Sequence, residues 1–178
     1  VVVLSVILTL IFLAIYAAGV MLPEELTAPS IRSTRLPPSL DHFFGTDALG
    51  RDLFFRTLKG LSVSMTVGLI ASVISAVIAV FVGIAAATGS RRMDSFINWV
   101  IDLMMGVPHM VLIMLISVAF GRGLKGLLIG VAATHWCSLA RLIRAEVMQL
   151  RSQQYVAVSR RLGKSSGWIL VNHLLPHL

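Results

Sequence analysis

Five histidines (His42, His109, His135, His173 and His177) and one carboxylate inside an apolar run, Asp102, are the side chains here whose types could do chemistry. No two of the histidines form an H-E-x-x-H or another tight metal pair on a helix, the spacing that would let two imidazoles share one ion. His109 and His135 fall on consecutive apolar runs at different inferred depths, which favours packing or interfacial hydrogen bonding over a metal in transit. The single Cys137 allows no internal disulfide and no cysteine cluster, and reads as a small buried hydrophobe. There is no Ser/His/Asp order, paired carboxylate or Walker-type Gly-x-x-x-x-Gly-Lys-Ser/Thr loop. The chain is therefore expected to have no catalytic residue, no cofactor and no bound metal, and not to hydrolyse ATP itself.

Two further features need a context before they mean anything. Gly121-Arg122-Gly123-Leu124-Lys125-Gly126 matches G-x-G-x-x-G, with Glu146 at about the distance of a ribose-binding acid. That fingerprint must follow a strand in a βαβ unit; here it follows an apolar run, so it reads as a tight interfacial turn. Asp102 is costly in a span and would be functional there by default. It also lies near enough to Arg91-Arg92 to pair with either, or with an arginine of the tail, at the membrane interface. Pro108, six residues on, should kink the surrounding helix, and such kinks can line a cavity. Asp102 and Pro108 are thus candidates for a pathway or an interface.

The elements that must position these residues are set by lipid. Of 178 residues 57% are hydrophobic and 13% charged, with mean hydropathy +0.89, against roughly 25% charged in soluble domains. The net charge of +7 could suggest nucleic acid, but the bases sit in short loops between apolar runs, where they fit topology better. Spanning the hydrocarbon takes roughly 20 apolar residues in a helix. Four such spans are expected, at residues 1–22, 61–88, 97–120 and 124–140. The first exceeds a typical signal-peptide core and lacks a basic leader, so a spanning helix is expected. Residue 1 is Val inside an apolar run, and Leu178 follows a Leu-Pro signal directly, so the chain is read as part of a longer protein.

Residues 23–60 form a long polar loop with four prolines (Pro23, Pro29, Pro37, Pro38), its first part irregular. Residues 141–178 carry Arg141, Arg144, Arg151, Arg160, Arg161 and Lys164 against one acid, Glu146. Placing this basic tail in the cytoplasm leaves the 23–60 loop outside. In the second span Ala71, Ser75, Ala79, Gly83 and Ala87 recur every four residues, a stripe that lets another helix approach closely; Gly126 and Gly130 repeat the motif at the start of the fourth. The tail reads as a continuation of the fourth span over residues 141–151 and a short helix over 155–162 capped at Gly163. A further helix, started by Ser165 or Ser166, carries Trp168, Ile169 and Leu170. Two short helices broken at a glycine make a compact knob; a basic helix lying on anionic lipid is the alternative.

The tail resembles the cytoplasmic EAA loop of ABC importer permeases, whose pattern is Glu-Ala-Ala, three residues, Gly, nine residues, Ile-x-Leu-Pro. Gly163, Leu175 and Pro176 match in register. Ala157, Val158 and Ser159 stand at the Glu-Ala-Ala places and His173 at the Ile place, so the family acid is absent. Upstream, Phe44-Gly45-Thr46-Asp47-Ala48-Leu49-Gly50-Arg51-Asp52 resembles the F-G-T-D-x-L-G-R-D segment of the dipeptide, oligopeptide and nickel branch, in its second ("C-type") subunit. Asp94, Asp102 with Pro108, Trp136, Arg141, Arg144 and Tyr155-Val156 are similar to that branch at matching spacing.

The resemblance implies an all-α polytopic transmembrane bundle of the type I importer permease fold, with four of an expected six spans in this chain, in the cytoplasmic membrane of a prokaryote. It implies these partners: a second homologous permease subunit, two ABC ATPase subunits that hydrolyse the ATP, an extracytoplasmic substrate-binding protein and the lipid bilayer. Tyr155, Val156, Ala157, Val158, Ser159, Leu162, Gly163, Trp168, Leu175 and Pro176 would then form the ATPase-coupling segment, and Gly45, Thr46, Asp47, Gly50, Arg51 and Asp52 the family motif of the outer loop. The implied cargo is a di- or oligopeptide or nickel, moved by alternating access, and His135-Trp136 tilts the choice toward nickel. A membrane scaffold or sensor with a basic tail for lipid or a signalling partner is the rival reading.

Overall fold

In lipid an apolar chain can satisfy its backbone only through its own helical hydrogen bonds, and every long run of this protein takes that solution. The structure, a computed structural model, describes residues 2–177; Val1 and Leu178, the outer limits of the first expected span and of the tail, lie outside the described residues. Helix α1 is Val2–Met21, followed by two 3-10 turns, Glu24–Thr27 and Ile31–Ser33. Helix α2 is Leu53–Thr88 and α3 is Arg91–Gly106, whose Ser90 cap accepts the Met93 N–H. Then come α4, His109–Ala119, and α5, Leu124–Arg151. The tail holds α6, Gln154–Arg161, and α7, Ser166–Ile169, which runs on through a π turn at Leu170–Leu174 into a 3-10 turn at Leu175–His177. Among the described residues the one β feature is an isolated Thr46–Asp52 bridge, so the protein is an all-α polytopic bundle.

Among the described residues three helices, α1, α2 and α5, are long and apolar enough to cross a membrane. The α3–α4 pair passes the same test together but is bent by 95°, giving up to four spans. Three details differ from the apolar runs alone. Helix α2 starts at Leu53, because Asp52 caps it, so residues 53–60 are helical rather than loop. Its 36 residues reach about 54 Å at 1.5 Å per residue, well beyond a hydrocarbon core. Helix α5 runs unbroken to Arg151, so its basic last turns stand clear of the apolar window. The 97–120 run is two helices, because Pro108 has no N–H to continue the ladder and forces Val107 into an extended conformation (φ −88°, ψ 136°).

The residues pack as two units, Val1–Leu69 and Ile70–Leu178. In the first, Gly19 is buried and faces Leu58 and Ser62; a Cβ there would lie 2.7 Å from the Ser62 Cβ. Thr66 donates to the Tyr16 hydroxyl at 3.4 Å across the same pair of helices. The rest of α1 is largely exposed apolar surface, which suits a helix bathed in lipid tails.

In the second unit the small-residue stripe is the packing face. Ala71, Ser75, Ala79, Gly83 and Ala87 are all buried. A Cβ on Gly83 would stand 2.8 Å from the Ala140 carbonyl oxygen, and the Ser75 hydroxyl donates to the Ala132 carbonyl at 3.1 Å. These are the close approaches of α2 to α5 that small residues permit. Gly130 does the same for α5 against α4, where an added Cβ would lie 2.9 Å from the Ile113 carbonyl oxygen. One apolar cluster then joins Ala79, Ile84 and Ala87 of α2, Ile101 of α3, Cys137, Ala140, Ile143 and Val147 of α5, and Val156 and Ile169 of the tail.

Candidate functional site

The tail knob is built around one turn and one ring. Helix α6 ends in a left-handed glycine, Gly163 (φ +78°), with the Gly163 N–H bonded to the Arg160 carbonyl at 3.1 Å and the Lys164 N–H to the Ser159 carbonyl at 3.2 Å. That paired pattern is the Schellman stop, and it needs a residue without a Cβ penalty at this position. Ser165 restarts the chain by accepting the Trp168 N–H at 3.2 Å. The Lys164 ammonium lies 4.7 Å from the centre of the Trp168 ring, within cation–π range.

The sequence-expected coupling residues divide by exposure. Val156 is completely buried, and Ser159 is half-buried. Tyr155, Ala157, Val158, Leu162, Gly163, Trp168, Leu175 and Pro176 are exposed. Tyr155, Ser159 and Trp168 converge on His173, which stands at the Ile place of the tail pattern. The Tyr155 and Trp168 rings meet it edge-on at 5.5 and 5.2 Å, and Ser159 Oγ hydrogen-bonds its Nε2 at 3.0 Å.

Below the knob, α5 carries three arginines that hold its neighbours. Arg141 Nη2 meets Asp102 Oδ1 at 2.5 Å, the tail-arginine partner expected for that acid. Arg144 grips Asp94 with two hydrogen bonds, Nε to Oδ1 at 2.5 Å and Nη2 to Oδ2 at 2.6 Å, and Asn98 donates to the same carboxylate at 2.7 Å. Arg151 donates to the Ala87 carbonyl at the end of α2. The bidentate pair is the strong one, because a planar fork matches a carboxylate; the Asp102 pair is more exposed.

The α4–α5 hairpin corrects one expectation. His109 and His135 are expected at different depths, yet their rings lie 4.9 Å apart at an interplanar angle of 73°. Helices α4 and α5 fold back on each other about the Gly121–Gly123 turn, pairing Gly126 with Ser117 and Gly130 with Ile113, and the same hairpin sets His109 level with His135. His135 Nδ1 donates to the Val131 carbonyl at 2.9 Å. The pair opens on a cavity of ≈ 480 Å³ lined also by Met104, Pro108, Thr134 and Cys137. Among the described residues no three His, Cys, Asp or Glu side chains are grouped to hold a metal. Gly121 (φ +100°) and Gly123 (φ +102°) form the turn from α4 to α5, which is where the G-x-G-x-x-G match falls.

The 44–52 motif, in the first unit, is a structural knot. Asp47 accepts the Leu49 and Arg51 backbone N–H groups at 2.8 and 3.0 Å, and the Arg51 and Arg56 side chains at 2.8 and 2.7 Å. The Arg51 N–H foremost, helped by Leu49 and the Arg51 guanidinium, holds the Asp47 carboxyl down at about 2. Asp52 caps α2 by accepting the Phe54 and Phe55 N–H groups at 2.8 and 3.3 Å, and takes His42 Nδ1 at 2.8 Å. Burial alone would raise its pKa, but these hydrogen bonds prevail and the net direction is down. Thr46 accepts the Leu36 N–H at 2.8 Å and donates to the Ser33 carbonyl. Gly45 and Gly50 are left-handed (φ +71° and +72°), and a Cβ on either would collide with backbone, at Leu36 and at Ser30. Each motif residue thus has a folding reason for its type.

Residues 79–178 match the family model described as "Binding-protein-dependent transport system inner membrane component". The dipeptide transport system permease protein DppC of Bacillus subtilis (strain 168) is 34% identical over 171 residues, covering 96% of this chain and 53% of that protein. The oligopeptide transport system permease protein OppC of the same strain is 33% identical over 174 residues, covering 98% of this chain and 57% of that protein. The chain thus spans a little over half the length of these curated relatives. Its buried helix stripes, apolar spans and matched C-terminal hundred residues place it in one family: the chain belongs to the inner-membrane components of binding-protein-dependent transport systems.

Proposed function

We propose that this chain is part of a permease subunit of an ATP-driven importer of small peptides, with the knob of residues 154–177 as its coupling segment on the cytoplasmic side. The observation that carries the reading is the connection of knob to spans. Val156 and Ile169 are buried in the same apolar cluster as Ile101, Ala140, Ile143 and Val147, while Tyr155, Leu162 and Trp168 of the same knob are exposed. A load applied to that exposed face passes into α2, α3 and α5 through close-packed side chains, which transmit displacement because packed interiors resist compression.

ATP binding in a pair of separate ATPase subunits would move the knob, and the spans would rock about the α2 stripe, exposing the pathway to each side in turn. Such driving works only if the ATPase binds the two states with different affinity. A second permease subunit and an external binding protein complete the assembly. The names of the relatives, dipeptide and oligopeptide permeases, favour a peptide cargo over nickel.

The test is ATP-driven uptake by the full-length protein with its partners, comparing native Gly163 with Gly163→Val. A β-branched residue at φ +78° cannot form the turn without strain. Loss of uptake with ATPase subunits still co-purifying supports coupling; normal uptake and normal co-purification would sink it. Uptake of a labelled dipeptide against radioactive nickel decides the cargo. A protein stable alone, with no ATPase pair co-purifying, would instead be the scaffold or sensor.

A further inference from the structure

Two departures from the resembling tail pattern touch each other. Position 159 holds Ser where the pattern has Ala, and position 173 holds His where it has Ile. They are fourteen residues apart in the chain, on opposite sides of the Gly163 turn, and Ser159 Oγ lies 3.0 Å from His173 Nε2. The same imidazole takes Tyr155 of α6 and Trp168 of α7 edge-on, at 5.5 Å and 62° and at 5.2 Å and 77°. One ring therefore links both arms of the knob. Tyr155 and Trp168, two of its exposed aromatic side chains, both rest against it.

We propose that His173 is a positioning residue of the coupling segment: through Ser159 it fixes the angle between α6 and the α7–π arm, and so the geometry in which Tyr155 and Trp168 meet the ATPase. The inference rests on the coupling reading above. Its physical basis is the asymmetry of hydrogen bonding. Removing one partner of a partly buried pair leaves the other unpaired in a site shaped for it, whereas replacing both by apolar groups of matching shape is nearly neutral. Each half of the Ser159–His173 pair then requires the other.

The experiment reads peptide uptake per ATP hydrolysed, together with ATPase co-purification, in the full transporter. Ser159→Ala, His173→Ile and His173→Phe are each expected to lower uptake per ATP about five- to tenfold, while the double variant Ser159→Ala/His173→Ile returns to within about twofold of native. His173→Phe keeps a ring against Tyr155 and Trp168 but no hydrogen bond, so its loss assigns the effect to the Ser159 link. Assembly lost in the single variants and regained in the double also supports the proposal. A double variant as impaired as the singles, or any single at native level, overturns it. Failure of the coupling reading itself shows separately, as native uptake by Gly163→Val.

Discussion

Arg144 on α5 holds Asp94 on α3 through two parallel hydrogen bonds of 2.5 and 2.6 Å, fifty residues apart in the chain. Both side chains are about a quarter exposed, at 24% and 27%. The fork geometry, rather than charge alone, makes this link strong, since Lys cannot present two coplanar donors. Arg144→Lys is therefore expected to lower stability by about 1–2 kcal/mol and Asp94→Asn by a similar amount. Thermal unfolding of the detergent-solubilised protein measures this; unchanged midpoints for both variants would show the pair to be incidental.

The α2 stripe makes a contrasting pair of glycine predictions. A side chain on Gly83 must displace the Ala140 backbone and Ile143, so Gly83→Val is expected to cost about 1–3 kcal/mol by overpacking. Gly60 lies on the same helix with nothing within 4 Å of its would-be Cβ, so Gly60→Ala is expected to stabilise by about 0.5–1 kcal/mol through helix propensity. Thermal melts of the two variants should move in opposite directions.

The 23–60 loop carries a pH prediction. Asp47 is held at about 2, and Asp52 is also lowered, against roughly 3.9 for an unfolded aspartate. For a depressed carboxyl the stabilisation is present above the unfolded value and is lost as pH falls toward the folded one. The loop should thus hold above about pH 4 and loosen between about pH 4 and 2. Amide hydrogen exchange at Leu49 and Arg51, whose N–H groups bond Asp47, reports it directly. In Asp47→Asn their protection should be lower at neutral pH and change less over that window.

The bend between α3 and α4 should depend on Pro108. Pro108→Ala restores a backbone N–H and removes the ring clash, so the 95° angle should open toward a continuous helix. Spin labels at Leu103 and Leu115 should then move apart in pulsed distance measurements. An unchanged distance would place the cause in the packing of Gly130 against Ile113 instead.

Much of the architecture is local and was legible in the residues. Apolar runs without charges must be helical in lipid, so α1 and the body of α2 follow from composition. Four-residue spacing of small side chains named the buried face of α2 before any partner was known. Gly163 and the Ser165–Ser166 pair mark the two ends of the knob turn, because a left-handed stop and a helix start each need a particular residue type, and the structure selects Ser165 as the cap. Pro108 announced a kink, though its size could not be read, since the angle is set by what α4 packs against.

What only the tertiary structure decided is which distant residues meet. Asp102 had several arginines in reach, and the register of α5 against α3 selected Arg141. His109 and His135, expected at different depths, meet because α4 and α5 fold back on each other about the Gly121–Gly123 turn. The 44–52 segment reads as a family signature, yet the hydrogen bonds of Asp47 and Asp52 show a loop held by its own turns. His173 read as a poor match to Ile and became the hub of the knob once the chain reversed at Gly163. Composition and spacing act along one strand of chain, where the physics is helical and local; pairing across fourteen, thirty-nine or fifty residues depends on how rigid helices are docked, and no periodicity records that.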